Sequence, residues 1–368
     1  MKTYIWSLPT RIFHFGLIIF VTTAFITIEI ENLLNIHAAV GYTVLLLAFF
    51  RIIWAFMGPK YSRLKDLPLS KNDIKEFLLN IFTSKSYPSH NPIASWVMIF
   101  IVLDLVILSL TGMLAYGIQE GKGIFSFLND SLFKNMELFV ELHELFANLL
   151  LFLIFVHLSG IITDRLLHKE HKVLESMLNG YKNIEATDTK LNKKQILFSF
   201  ILIAIFVTPF FLIRYDSIFT KSKYSEINYE QQNEIFYNEC ISCHTLYPPS
   251  LLPKGSWIKL MNNLENHFGD DASFDKNDEK IVTNYLIKNS ADSSKSEAST
   301  YILNSLEDKN DIIAVTKTPY WIKKHKDIDK SIFKSKDVRS KANCKACHTD
   351  IEKGLIEDEN IKFNFLSF

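Results

Sequence analysis

Two cysteine pairs in this chain are each followed at once by histidine: Cys240-Ile-Ser-Cys243-His244 and Cys344-Lys-Ala-Cys347-His348. Thiols at that spacing form thioethers to the two vinyl groups of one haem, and the adjoining histidine ligates its iron. These four cysteines are the only four in the chain. A zinc Cys₄ site or a redox dithiol would also use C-x-x-C pairs. Neither requires histidine directly after each pair, and no βαβ pattern surrounds them. The expectation is two covalent c haems, anchored by Cys240, Cys243, Cys344 and Cys347, with His244 and His348 as proximal iron ligands.

Four of the eleven histidines fall within or at the ends of long apolar runs: His14, His37, His143 and His157. Ionisable side chains inside a membrane are costly and usually functional; a single one would also fit a polar contact between helices. Spacing separates the two readings. His143 and His157 are fourteen residues apart, which on a helix returns them to within about 40° of one azimuth with a rise of about 21 Å. One helix therefore offers two ligands at two depths, each needing a partner from another helix. His14 lies about one turn into the first run, and His37 opens the second, with Asn35 as the expected N-cap. Matching depths pairs His14 with His157 near the inner face and His37 with His143 near the outer face. Two stacked bis-histidine sites describe two b-type haems. Arg51 follows His37 by the same interval and so reaches the inner level on that face. It fits either a snorkelling arginine or an ion pair to a haem propionate. Asp104, near the middle of the third run, has no obvious partner in the linear sequence; it fits a proton relay or a protonated, hydrogen-bonded acid.

The elements that must position these residues are five apolar stretches, near 11–30, 37–57, 93–117, 139–163 and 195–213. Each approaches the roughly 20 helical residues needed to cross a bilayer. The first lacks a small-residue cleavage site and is followed by another span, so it does not read as a signal peptide. Pro209 is expected to bend the fifth. Lys60, Arg63, Lys65, Lys71, Lys75 and Lys85 crowd the loop after the second run, and Arg165, Lys169, Lys172, Lys182, Lys190, Lys193 and Lys194 the loop after the fourth. Residues 29–35 have no basic residue, and the 118–138 loop has only Lys122 and Lys134. The positive-inside rule then puts the N-terminus in the cytoplasm and everything after about residue 214 on the far side, the bacterial periplasm. His90, His168 and His171 fall in the basic loops and are expected to be solvated or to face headgroups.

Apolar runs dominate up to about Phe211, and Lys, Asp, Glu, Asn and Ser dominate beyond it. The expected organisation is a membrane domain over 1–183, a fifth helix and tether over 184–228, and a soluble domain over 229–368. Residues 214–228 read as a polar tether, and the Ser-rich run 290–299 as a flexible solvated loop between two haem lobes. A net charge of zero removes any global basic field for nucleic acid. No nucleotide-binding glycine loop or hydrolytic triad is evident.

The membrane half resembles the bacterial cytochrome b561 and hydrogenase-type cytochrome b family. The match runs through Trp6-Ser-Leu-Pro9-Thr-Arg11-Ile-Phe-His14, His37-Ala-Ala-Val-Gly41-Tyr42 and Phe50-Arg51-Ile-Ile-Trp54-Ala-Phe-Met-Gly58-Pro59-Lys-Tyr61. It continues at Leu110-Thr111-Gly112, His143-Glu144, His157 and Met177-Leu-Asn-Gly180-Tyr-Lys182. The resemblance implies four core helices, two b haems held at these four histidines, and electron exchange with membrane quinone. Asp104 is not part of the pattern.

The soluble half resembles the small dihaem cytochrome c family through Glu239-Cys240-Ile-Ser-Cys243-His244, Tyr247-Pro248-Pro249-Ser-Leu-Leu-Pro253, Ser256-Trp257 and His267-Phe268-Gly269-Asp270. Thr318-Pro319-Tyr320-Trp321, His325 and Asn343-Cys344-Lys-Ala-Cys347-His348 complete the match. That family implies two low-spin c haems with histidine at both axial positions, which makes His267 and His325 the distal candidates. Each stands 23 residues from a motif histidine, so local pairing is expected, with crossed ligation as the alternative.

The expected fold is all-α: a transmembrane four-helix dihaem bundle plus a fifth tethering helix, then a small, mainly helical dihaem domain. The expected function is electron transfer from the membrane quinone pool through two b and two c haems to a soluble periplasmic redox protein, a quinol:cytochrome c-type oxidoreductase activity. Reverse flow from a periplasmic donor such as a hydrogenase, and superoxide oxidation coupled to quinone reduction, are the alternatives. A haem-based sensor is disfavoured, because four hexacoordinate irons leave no open position. The bilayer of the inner membrane and a homodimer or larger respiratory complex complete the expected surroundings.

Overall fold

In the computed structural model, residues 2–80, 82, 87–168, 172–215, 217–306 and 312–362 are described. Among the described residues five helices are long and apolar enough to cross a membrane: Leu8–Ile28, Leu34–Met57, Pro92–Gln119, Leu138–Leu167 and Lys193–Arg214. They are the first to fifth spans below. The chain divides into two compact units, one of Met1–Ile30, Asn35–Tyr116 and Glu137–Lys221, the other of Glu31–Leu34, Gly117–Met136 and Ser222–Phe368.

The second span is the axle of the membrane unit. One face packs Leu47, Phe50 and Trp54 against Phe13 of the first span and Leu202 and Ile205 of the fifth. Another packs Val40, Val44 and Ala48 against Leu105 of the third and Leu150 of the fourth. Phe50, Trp54 and Phe198 form a near-parallel stack, with ring planes within 20° of one another. A Cβ at Gly16 would lie 2.2 Å from the Phe206 ring, so glycine there lets the first and fifth spans close. The helical pattern of the fifth span continues through Pro209 and is interrupted instead at Phe200, between Lys193–Ser199 and Ile201–Arg214. Proline near a helix end removes a single amide donor, whereas the turn at Phe200 ends one run and begins the next.

Three differences from the sequence reading have physical causes. Asn35 does not cap the second span. It lies inside that helix, and its Oδ1 accepts the Tyr116 hydroxyl at 2.6 Å. A two-stranded antiparallel ribbon, Lys2–Tyr4 with Tyr181–Asn183 in the register Thr3↔Lys182, joins the N-terminus to the end of the fourth-span region. The Ser-rich run 290–299 is ordered rather than a flexible loop. Ser290, Ala291 and Ser299 are fully buried, Ser296 caps the helix Glu297–Ser305, and the Ser299 hydroxyl donates to the Ser250 carbonyl at 2.7 Å. Serines bury readily when caps and carbonyls satisfy their hydroxyls.

The soluble unit has two apolar centres. Tyr229, Phe236, Leu246, Leu252, Trp257 and Val282 belong to one; Leu251, Ile302, Leu306 and Ile351 form the other. Lys122, only 1% exposed, is enclosed by Glu357 and Glu359, the latter at 2.8 Å. Tyr224 donates to Asn129 Oδ1 at 2.7 Å. The segment between the third and fourth spans is thus built into the soluble unit by buried polar contacts.

Candidate haem-binding sites

Eight histidines come together as four pairs. In the membrane unit the ring centroids of His14 and His157 are 6.4 Å apart and those of His37 and His143 are 6.0 Å apart. In the soluble unit His244 faces His267 at 6.1 Å and His325 faces His348 at 6.1 Å. A metal–imidazole bond of about 2 Å on each side, plus the distance from nitrogen to ring centre, puts two rings across one iron about 6 Å apart. Each pair lies close to that span. The pairs in the soluble unit are the local ones in sequence.

Second partners orient several of these rings. The Nδ1–H of His37 donates to the Ala24 carbonyl at 3.0 Å, and that of His143 donates to the Leu108 carbonyl at 2.9 Å. Both carbonyls belong to neighbouring spans, and because a carbonyl can only accept, Nδ1 carries the proton in each ring. His244 donates in the same way to Thr245 at 2.7 Å and His325 to Trp321 at 2.8 Å. The Nε2 lone pair is left for a metal, the arrangement that fixes metal-ligating histidines. His14 differs, with a buried Nδ1 that has no hydrogen-bond partner among the described residues.

Local backbone explains how each ring is held. His267 opens a tight turn closed by paired backbone bonds to Asp270, with Phe268 at φ 56° and Gly269 at φ 107°. Positive φ at both central positions is the hairpin geometry that favours glycine. His325 ends the helix Pro319–Lys324, and its ring stacks on Trp321 at 4.2 Å. Burial, and then His244, push His267 below its ordinary pKa, favouring the neutral ring that binds metal. Burial also pushes the Cys240 thiol up to about 12 and the Cys344 thiol up to about 11, so neither is a reactive thiolate. Among the described residues no three His, Cys, Asp or Glu side chains converge to hold one metal ion. The four cysteines therefore do not share a zinc site.

The surroundings fit planar groups between the paired rings. A Cβ at Gly41, one turn after His37, would meet nothing within 4 Å. At Gly112 it would lie 2.7 Å from the His143 ring, so glycine lets the third span approach that histidine. Arg51 is buried, with Nη1 on the Ser62 carbonyl at 3.2 Å and Nη2 on Met98 Sδ at 3.0 Å. Among the described residues it forms no ion pair with a carboxylate. Asp104 is 4% exposed, and neither of its oxygens has a hydrogen-bond partner among the described residues.

Two loop histidines are not solvated. His90 is half-buried against Trp6, ring centres 5.0 Å apart, and is pushed down to about 3 by burial, then by Arg51 and Lys182. His168 is buried, with Nδ1 3.4 Å from Asp164. Their partners are close in space, and charged neighbours in sequence did not reveal them. His171, Lys85 and Lys169 lie outside the described residues. The Trp6–Arg11 motif works as a clasp: Trp6 donates to Ser176 at 3.2 Å and Arg11 to the Leu178 carbonyl at 2.5 Å.

Residues 5–180 match the family model described as prokaryotic cytochrome b561, and residues 236–356 match dihaem cytochrome c. A curated relative, the "Probable Ni/Fe-hydrogenase B-type cytochrome subunit" of Rhodobacter capsulatus, is 25% identical over 166 residues. That match takes in 40% of this chain and 62% of the relative's length. The diheme cytochrome c of Rhodobacter sphaeroides is 34% identical, with 36% of this chain and 99% of that one covered and a TM-score of 0.31. The diheme cytochrome of Shewanella baltica OS155 is 30% identical, with 36% and 92% covered and a TM-score of 0.29. With paired histidines in both units and a cysteine pair beside each motif histidine, the chain carries a prokaryotic cytochrome b561 region in its N-terminal half and belongs, through its C-terminal part, to the dihaem cytochrome c family.

Proposed function

We propose that this multi-pass membrane protein conducts electrons from membrane quinol to a soluble periplasmic redox protein. The carrying observation is the four histidine pairs, all separated by about the width of one bis-imidazole iron site. His14 and His157 would hold an inner b haem, and His37 and His143 an outer one. His244 with His267, and His348 with His325, would hold two c haems anchored by the four cysteines. Bound haem supplies one-electron iron chemistry.

The protein's own groups set the conditions for that chemistry. Carbonyls at Ala24 and Leu108 fix the tautomer and ring angle of the outer pair and raise the basicity of its imidazoles. Arg51 supplies a buried cation suited to a propionate, which would offset its desolvation. Basic loops after the second and fourth spans support a cytoplasmic N-terminus and a periplasmic dihaem domain. Stopped-flow mixing of purified protein with a quinol, following b and c absorption bands separately, tests the direction. Reduction of b before c is expected; c-first reduction by a periplasmic donor, with quinol inert, would overturn it. The similarity to the probable Ni/Fe-hydrogenase B-type cytochrome subunit of Rhodobacter capsulatus supports that reverse flow from a hydrogenase-like donor as the second reading. Potentials rising from b to c favour outward transfer, and the opposite order favours inward transfer.

A further inference from the structure

Two stretches of the dihaem domain carry opposite net charge. Residues 229–279, which include His244 and His267, contain nine acidic and three basic side chains. Residues 323–345, which run from just before His325 to just before His348, contain nine basic and three acidic. Lys323, Lys326, Lys330, Lys334, Arg339 and Lys341 are all exposed. Within this stretch Lys326 lies 3.9 Å from Asp327, and Lys345 pairs with Glu352.

The positive surface leads directly to one histidine pair. Lys341 Nζ sits 5.6 Å from the Trp321 ring centre and 5.8 Å from that of Phe333. Trp321 is nearly buried and stacks on His325 at 4.2 Å with planes 13° apart. Ile322, beside them, is 54% exposed and offers an apolar contact within the basic rim. A charged rim around a small apolar centre suits a transient redox interface, where complementary charge steers approach and sets orientation.

We infer that the Lys-rich lobe holding His325 and His348 is the docking surface for an acidic soluble redox protein, and that the acidic lobe holding His244 and His267 turns away from it. This rests on the haem assignment above and names the chemistry of the partner. Each quinol, oxidised to quinone with release of two protons at the membrane, supplies two electrons; they leave the domain one at a time and reduce two partner molecules by one electron each, and no proton or atom crosses the interface.

The experiment uses full-length protein in detergent, reduced by quinol and mixed with a succinylated, hence acidic, monohaem cytochrome c, or with its unmodified basic form. The acidic probe should be reduced about tenfold faster at low ionic strength, with the advantage shrinking as the Debye length falls to about 10 Å at 0.1 M salt. Lys326→Glu/Lys330→Glu/Lys334→Glu should cut the acidic-probe rate about tenfold or more and raise the basic-probe rate. The Gln triple variant should fall between. Low-spin spectra and unchanged reduction by quinol establish that these variants are folded and loaded. Loaded variants whose probe rates ignore the substitutions overturn the docking surface alone. If the substitutions matter only when neutral nanodiscs are exchanged for anionic ones, the lysines face headgroups and the proposal also fails. A wild-type protein without covalent haem would overturn the haem assignment and this inference with it.

Discussion

The membrane unit and the soluble unit solve one positioning problem in opposite ways. Each presents two facing histidine pairs, at separations that agree to within half an ångström. In the membrane unit the partners come from different spans, and the His37 and His143 rings are tied to the carbonyls of neighbouring helices. No cysteine occurs in that unit to add a covalent hold. In the soluble unit the rings sit on turns and at the end of a short helix, oriented by carbonyls close in sequence. There a cysteine pair adjoins one histidine of each pair. Long helices supply rigidity from packing, whereas short elements need a chemical anchor, much as small domains need staples.

The largest effects should appear where coordination is the only hold. His37→Ala and His143→Ala are each expected to abolish one b-type spectral component, the same one, and to leave the other. His14→Ala and His157→Ala should remove the second. Pyridine-haemochrome assay of purified variants measures it, with about half of the b haem lost each time if two equal sites exist. Loss of one component by both His14→Ala and His143→Ala would break the depth pairing.

The corresponding change in the soluble unit should be milder. His267→Ala or His325→Ala should open one iron to carbon monoxide and give a high-spin signal, while the thioethers retain the haem through acid-acetone extraction. A fully low-spin spectrum in both variants would assign the distal position to another residue. If a b haem survived loss of its histidine as well as a c haem does, the contrast between the units would collapse.

A third effect probes what holds the soluble unit together. Lys122 is enclosed by two carboxylates, and removing one partner of a buried ion pair typically costs about 3–5 kcal/mol. Lys122→Ala should therefore lower the unfolding midpoint of the c-haem unit by several degrees, followed by c-band absorption in a thermal melt. The b-band transition should move less. Equal shifts in both bands would make Lys122 a tie for the whole chain.

Much of this was legible in the sequence because helical geometry and C-x-x-C-H are local rules. The fourteen-residue spacing of His143 and His157 predicts one helix face with two levels, and the rings that face them are those of His37 and His14. What escaped were contacts between residues distant in sequence. Lys122 and Glu359 are 237 positions apart, and the Thr3↔Lys182 ribbon joins strands of three residues each, too short for any alternation to register. The run at 290–299 has the composition of a loop, yet Ser296 is a helix cap. His90 read as solvated because its neighbours in sequence are polar, while Trp6, which covers it, lies 84 residues upstream.

His90 yields the smallest and most specific prediction. Its proton affinity is pushed down to about 3, first by burial and then by Arg51, Lys182, His157 and His14. An unfolded histidine takes a proton near pH 6.5. Between those values the unfolded chain binds a proton that the native chain refuses, so His90 favours the folded state fully above about pH 6.5 and progressively less as the pH falls towards 3. His90→Phe keeps an aromatic ring against Trp6 and removes the titration. The melting temperature of the membrane unit, followed by b-band absorption, should then fall less steeply from pH 6.5 to 4.5 than in the wild type. At pH 8 the two proteins should differ little. Parallel slopes would mean that His90 is protonated in the native protein and that the cationic surroundings do not govern it. That outcome would leave the paired histidines untouched, because His90 belongs to none of the four pairs.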